Sequence, residues 1–439
     1  MPLFSQLLAK AGKRLLMHIF QMFLLICLAS LASDGASADT SSVRFSSKSI
    51  LGFFEREDDK GKNVSVVPLY EYLGIDYGDP EEQSVTLHVY GWLRADMGDQ
   101  NYYEDDTDGE LLYGYVDYIS PGDGLNVKLG RQHIFSGVIN DSLDGIGVTA
   151  HLGPHLSFLA FGGYPVAFAE GNGSSGDGMA GGRFALHPTL ADEIGFSYKN
   201  ISDDNDTVEN TAGMDLSLGL FNDWTVYGRS SWNVETSGWK EHAYEAAIIL
   251  SRFYLKPFYQ HVRYEDYFSG EESGVQPFRF LEESEEKLTI IGSDVIWQVL
   301  SRIDLGAKFK HYDYEIRSET SYYGAALVNV YGDRETAGGL EAGTMDGDAG
   351  ENRYRLFRGF FFWDTPSPVF EEWFISGDVV YVLYEKEIYG RDHSLFVSMG
   401  TGKQLMEDLF RIEISGSYST DPYFDSDFRL MMAITFELK

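Results

Sequence analysis

Cysteine occurs once in the 439 residues, proline only 12 times, and lysine plus arginine number 34 against 68 aspartates and glutamates. One thiol forms no internal disulfide and builds no cysteine-based zinc site, and with no C-x-x-C-H the chain cannot attach haem covalently. A formal net charge of −34 argues against nucleic acid as a partner, because phosphate recognition needs clustered Lys and Arg. G-x-S-x-G, H-E-x-x-H and the P-loop are all missing, so no enzyme is expected, and no cofactor or resident metal. His88, His133, His242, His261 and His311 are scattered and read as hydrogen-bonded strand residues rather than ligands. Beyond the first 32 residues no run approaches the roughly 18 apolar residues of a membrane helix. What the chain has in quantity is aromatic side chains, 15%, and 47 glycines, too apolar a mix for a disordered acidic polymer.

The first 38 residues read as a secretory signal. Lys10, Lys13 and Arg14 precede an apolar stretch over 15–32, and Ala36-Ser37-Ala38 supplies the small residues a signal peptidase reads. Cys27 lies inside that stretch after Leu25-Ile26, which does not suit lipidation. The expected division is a signal peptide over 1–38 and one β domain over 39–439.

That domain alternates apolar and polar residues over ~8–12 positions, turns, and alternates again, the period-two signature of strands. Phe428, Leu430, Met432, Ile434, Phe436 and Leu438 share one face, and Arg429, Met431, Ala433, Thr435 and Glu437 the other. Val85, Leu87, Val89 and Leu93 against His88, Tyr90 and Arg94 repeat the design, as do Ile303, Leu305 and Phe309 against Asp304, Lys308 and Lys310. Such strands suit a secreted soluble β-protein, whose apolar faces meet in a core. They also suit a transmembrane barrel, whose apolar faces meet lipid.

Three features favour the barrel. The candidate turns at 121–124, 153–155, 221–223, 251–252 and 331–334 are short. The intervening segments 98–110, 162–179, 202–210, 265–287, 345–352 and 419–427 read as longer acidic loops, as on an outer-membrane barrel. Aromatics at segment ends (Tyr113, Tyr115, Tyr118, Trp224, Trp232, Trp297, Trp363, Trp373 and Tyr381) suit membrane interfaces. The chain ends on an alternating aromatic strand. The expectation is an all-β, transmembrane antiparallel barrel of about 22 strands without a plug domain, an even count being the rule for bacterial barrels. It falls to about 20 if the segments 43–56 and 64–75 are tucked into the lumen instead.

On such a barrel the inward face carries Arg94, Asp96, Lys128, Asp215, Arg229, Asp304, Lys308, Lys310, Arg411, Glu413 and Arg429, the expected pore-lining set. Charged rings of this kind bias ion passage, and mixed charges also pair and stiffen a wide wall. Arg131 breaks the alternation, marking a bulge or the start of an inward-folded segment over 133–144 that narrows the pore. The acidic run Glu104-Asp105-Asp106-Thr107-Asp108-Gly109-Glu110 lacks the ligand spacing of a calcium loop and reads as a solvated loop beside lipopolysaccharide.

With these parts in place the chain resembles Gram-negative outer-membrane porin-type barrels. Lys128-Leu129-Gly130-Arg131-Gln132 and the 428–438 strand carry the resemblance. Pro68-Leu69-Tyr70-Glu71-Tyr72-Leu73 with His88-Val89-Tyr90-Gly91-Trp92 resembles the porin-like barrels of porin–cytochrome electron conduits. The resemblance implies an outer-membrane location and passive passage of small or charged solutes. Its second implication is a scaffold enclosing a separate multihaem cytochrome. Outer-membrane lipid and lipopolysaccharide, that cytochrome, and further copies of the chain are the partners it implies.

Overall fold

The computed structural model describes residues 43–57, 63–79, 84–98, 102–103, 105, 107–167, 176–204, 206–221, 223–267, 285–333, 335–348, 353–364, 373–405, 409–423 and 426–438. The expected signal peptide lies outside the described residues. The wall begins with β1 (Val43–Glu57), β2 (Asn63–Val66), β3 (Pro68–Tyr77), β4 (Val85–Asp96), β5 (Thr107–Ile119), β6 (Leu125–Ser136), β7 (Ile139–His151) and β8 (Leu156–Pro165). It continues through β9 (Gly178–Leu186), β10 (Glu193–Asp203), β11 (Asp206–Leu220), β12 (Trp224–Asn233), β13 (Gly238–Leu250), β14 (Phe253–Arg263), β15 (Lys287–Leu300) and β16 (Ile303–Tyr314). It ends with β17 (Glu319–Tyr331), β18 (Ala337–Gly347), β19 (Tyr354–Asp364), β20 (Trp373–Ile388), β21 (Arg391–Leu405), β22 (Phe410–Thr420) and β23 (Asp427–Leu438). One turn of helix, α1 (Tyr264–Tyr267), follows β14.

Apart from β2 and β3, which both lie along β1, each strand pairs antiparallel with its sequence neighbours, and β1 pairs with β23 from Phe45↔Leu438 to Phe54↔Arg429, which closes the sheet into a barrel. β2 and β3 are two halves of one stave. β3 covers the first part of β1 and β2 the last, with Val67 as the break before Pro68, which has no N–H to give a ladder. Asp96 Oδ1 accepts hydrogen bonds from Val67 N (3.2 Å) and Gly98 N (2.9 Å), holding that break in place. The 23 strands therefore make 22 staves. The segments 43–56 and 64–75 belong to the wall.

Period two decides the faces. Leu93, Leu129, Leu340 and Met399 stand on one face of the wall and are 58–64% exposed. Of the described hydrophobic residues only thirteen are buried, and six of these form a single cluster inside the barrel. Among the described residues no central apolar core fills the barrel beyond this cluster, and the exposed aliphatic side chains of the strands form an outward belt. Rings mark both borders of this belt. At the end holding the start of β1 and the finish of β23 lie the Phe253–Trp297 pair (centroids 5.6 Å) and Phe410–Phe436 (4.9 Å). At the far end Trp232 and Trp239 meet edge to face at 5.0 Å. Trp224 and Trp232 are eight residues apart on β12, ~26 Å along the strand or ~20 Å along the axis at ~40° tilt, close to the ≈ 25 Å apolar band of outer-membrane barrels.

Two expectations need correction. The alternation of short turns and long loops is only partial. The stretch 202–210 is strand almost throughout, closed by a tight turn after Asp203, with Asp204 at φ 48° in the left-handed region that Asp tolerates. Residues 107–110 likewise belong to β5. Polar, acidic composition marks a turn in sequence but does not reveal its length. Tyr113 and Tyr115 are not interface aromatics either. The register sets them opposite Tyr90 and His88, on the inner face.

Candidate functional site: the lumen wall and its inward hairpin

The β6–β7 hairpin leaves the wall halfway up. β6 pairs with β5 only from Asn126 to Arg131, and β7 meets β8 only from Leu143 onward, whereas β6 and β7 stay paired to Ser136↔Ile139. The segment expected as an inward fold over 133–144 is thus a continuous β-hairpin with a two-residue tip. Gly137 supplies the tip's positive φ, 65°, which costs a residue without a Cβ nothing.

Arg131 sits where the hairpin departs. Its guanidinium donates to both oxygens of Asp144 (2.8 Å each) and to the carbonyl of Leu111 on the β5 edge (2.9 Å). A planar fork that reaches carboxylate and backbone at once satisfies edge groups that the departing hairpin leaves unpaired. His133 links across the hairpin to Ser142 (3.0 Å) and Asn140 (2.9 Å).

The tip lands on the inner face of β9, β10 and β11. Val138 N donates to Ser197 Oγ at 3.2 Å. The Val138 side chain occupies the space over Gly213, where a Cβ would come within 2.1 Å of it. Ile134, Ile139 and Leu143 from the hairpin pack on Phe161, Met179 and Ile201, with Ile139, Leu143 and Ile201 fully buried. Lys199 Nζ bridges Asp141 of the hairpin (2.9 Å) and Glu209 of β11 (2.8 Å), and Lys240 adds a second contact to Glu209 at 3.0 Å. Beside them Arg183 holds Asp215 and Glu193 together, and Arg229 pairs with Glu241 at 3.0 Å. Below the hairpin remains a cavity of about 240 Å³, lined by Asn126, Lys128, Gln132, Thr149, Leu159 and Arg183 among others.

At the far end α1 folds onto the same wall. Asp266, 3% exposed, accepts a hydrogen bond from Thr236 Oγ1 (2.7 Å) and forms an ion pair with Arg263 at 3.1 Å. Tyr267 lies 5.4 Å from the Lys240 ammonium, and burial raises its phenol above the ordinary tyrosine range. In the 315–318 turn, the hydrogen bond from Lys287 holds the Glu315 carboxyl below its usual range.

The register puts all eleven residues of the expected set on the face opposite the apolar belt. They do not converge into one ring. Lys308 pairs with Glu341 (3.1 Å), Arg411 with Glu413, and Arg429 with Asp427 (2.8 Å). Lys310 lies 5.8 Å from the Phe258 ring centroid, and Arg94 packs on Tyr103 at 3.8 Å with Asp108 at 3.7 Å. Lys128 lies over Tyr115 at 5.0 Å. Asp304 stands opposite Gln298 and Asn329 in the register. Asp96 serves the β2–β3 break. The densest charged wall, with Arg183, Lys199, Glu209, Lys240 and Glu241, is absent from the expected set. Glu209 escapes because its segment reads as a loop. Arg183 and Lys199 had a legible signal, since Phe184, Phe196 and Tyr198 alternate with them. Among the described residues no group of three or more His, Cys, Asp or Glu is placed to hold a metal ion.

No family model matches the chain, and no curated protein matches it. Among solved structures, OccAB1 of Acinetobacter baumannii is 11% identical, covering 92% of this chain and 99% of that one at a TM-score of 0.42. OccAB3 of the same organism is 8% identical over 90% and 100%, with a TM-score of 0.44. Pseudomonas aeruginosa OccK2, solved in complex with glucuronate, is 10% identical over 91% and 99% at 0.42.

Proposed function

We propose that the protein is a porin-type channel of the Gram-negative outer membrane, passing small polar or charged solutes through a water-filled lumen. The observation that carries this reading is the pairing of an outward apolar belt with a polar inner wall narrowed by the chain's own hairpin. A contiguous exposed apolar surface of this size does not persist on a soluble monomer. In a bilayer it is matched by hydrocarbon, while closure leaves no strand edge unpaired among the described residues of the half nearer the start of β1.

In this reading the end holding the start of β1 and the finish of β23 faces the periplasm, reached after removal of a leader near Ala38. The acidic far-end loops face lipopolysaccharide and its bridging cations. The expected set of eleven residues lines the pore. Seven of its members, Arg94, Asp215, Arg229, Lys308, Arg411, Glu413 and Arg429, stand in ion pairs, and the other four, Asp96, Lys128, Asp304 and Lys310, are two of each sign, so the wall presents short-range dipoles more than a field of one sign, and weak discrimination between anions and cations follows. No observation favours the cytochrome sheath or the soluble β-protein. The hairpin takes up lumen that a sheath would need, and the outward belt leaves a soluble protein without a core.

The test is conductance in planar bilayers. The wild-type barrel is expected to insert as discrete current steps. A variant with residues 133–142 replaced by a short Gly-Ser linker is expected to give larger steps. A barrel that is folded, shown by a heat-dependent shift on SDS gels, yet passes no current in either form would overturn the reading.

A further inference from the structure

The charged wall accounts for one side of the lumen. The other side, over β3, β4 and β5, is aromatic, and ion passage gives no reason for it. Tyr70 and Trp92 stand nearest the far end, with ring centroids 5.9 Å apart. From Tyr70 the row steps to Tyr72 (6.4 Å), to Tyr90 (6.3 Å), to Tyr113 (5.4 Å) and to Tyr115 (5.9 Å). The steps from Tyr70 to Tyr113 are near-parallel, with interplanar angles of 20–24°. All six residues are half-buried, so ring surface stays open to the lumen. The row descends from the level of the β2–β3 break toward the near-end turns, along the direction of transport.

Hydrogen-bonding groups flank this row throughout. His88 and Asp76 meet at 2.6 Å, and Asn126 donates to Asp117 at 2.6 Å. Lys128 stands over Tyr115, and Arg94 over Tyr103 at the upper end. Both signs of charge are present, so the row does not select a net charge. A purely apolar ligand lying here would strip water from these groups without replacing its hydrogen bonds. A ligand suited to the row has an apolar face to lie on π surfaces and hydroxyls at its rim to satisfy carboxylates, amides and ammonium groups. It also has a repeating unit, because the row is a line of similar subsites, not one cage. Pyranose rings in a linear oligosaccharide meet all three requirements.

We infer that the aromatic row on β3–β5 is a sliding track for linear oligosaccharides. This rests on the channel reading and names its substrate class. Several weak, equivalent subsites let a chain pass from ring to ring without being trapped at any one, as conduction requires.

The experiment uses the full barrel in planar bilayers, with maltohexaose as the probe. Millisecond interruptions of the open-channel current are expected to grow in frequency with maltohexaose and to saturate. Tyr90→Ala and Tyr113→Ala, in the middle of the row, are expected to weaken the apparent affinity roughly tenfold each, the loss of about one aromatic contact. Their ion current without sugar should stay near wild type, and Tyr90→Phe should keep most of the affinity. Quenching of Trp92 fluorescence in detergent-solubilised protein reads binding independently of conductance. Steady ion current that maltohexaose leaves uninterrupted, with no fluorescence change, overturns the track and leaves the channel standing. Fluorescence binding without any ion current overturns the channel reading instead. Sugar block that Tyr90→Ala and Tyr113→Ala leave unchanged places the binding elsewhere and also overturns the track.

Discussion

Lys199 and Gly213 show at the scale of single residues how the hairpin is held. Lys199 is 5% exposed and satisfied by two carboxylates from different elements, one of them on the hairpin. Lys199→Met leaves Asp141 and Glu209 facing each other with one cation fewer, and breaking a buried pair from one side costs about 3–5 kcal/mol. Because Lys240 still reaches Glu209, the lower end of that range is expected from denaturant unfolding in detergent. The current of this variant should be noisier, since the hairpin has lost its strongest anchor. Gly213→Ala acts by shape alone. Its Cβ would lie 2.1 Å from Val138 Cγ1 and 2.9 Å from the Ser230 carbonyl, so the tip must lift. A cost of ~1–3 kcal/mol is expected from such overpacking. Gly416→Ala is the control, because its nearest neighbour is 3.8 Å away, and it should be close to neutral. Equal effects from the two alanines would remove the hairpin's landing site from the account.

Among the elements, strands were legible and their company was not. Alternation such as Phe410, Ile412 and Ile414 against Arg411 and Glu413 gives strand and face directly, because a side chain on a strand has only two directions to take. The break at Arg131 was legible for the same reason: a charge out of phase has to leave the lipid face or leave the wall. Where the hairpin lands was not legible, since Val138 on Gly213 and Lys199 on Asp141 join residues some 60–75 positions apart through the lumen, and nothing periodic links them. The aromatic row was half legible. Tyr70 and Tyr72 alternate with Leu69 and Leu73, and Tyr90 with Val89, yet Tyr113 and Tyr115 follow a register shift between Tyr90 and Gly91 that sequence does not announce. The hairpin's departure yields its own prediction. Arg131→Ala removes three charge-assisted hydrogen bonds at the junction, two of them to a carboxylate. Because Arg131 and Asp144 are partly exposed, a modest loss of about 1 kcal/mol is expected after solvent screening. Hydrogen–deuterium exchange should rise at Leu111 and its neighbours on the β5 edge while the β21–β22 ladder is unchanged.

For the whole molecule the question is what surrounds the belt, and two adjacent residues on β21 answer it. Met399 lies mid-strand on the outer face, opposite Gly377 and Gly416, and is 58% exposed in the isolated chain. Ser398 lies on the inner face, opposite Asp378 and Ser417. If water surrounded the barrel, Met399→Arg would be a surface substitution worth within about 0.5 kcal/mol either way. If hydrocarbon surrounds it, an arginine near the midplane costs ~2–4 kcal/mol. Ser398→Arg enters an aqueous lumen beside a carboxylate and is expected to cost less than about 1 kcal/mol in either case. Unfolding of the two variants by guanidinium in phospholipid vesicles measures the difference. A large penalty at Met399 with a small one at Ser398 is the pattern that lipid outside and water inside must produce. Two small penalties would place the belt in water, and the channel and the sugar track would both lose the membrane they cross.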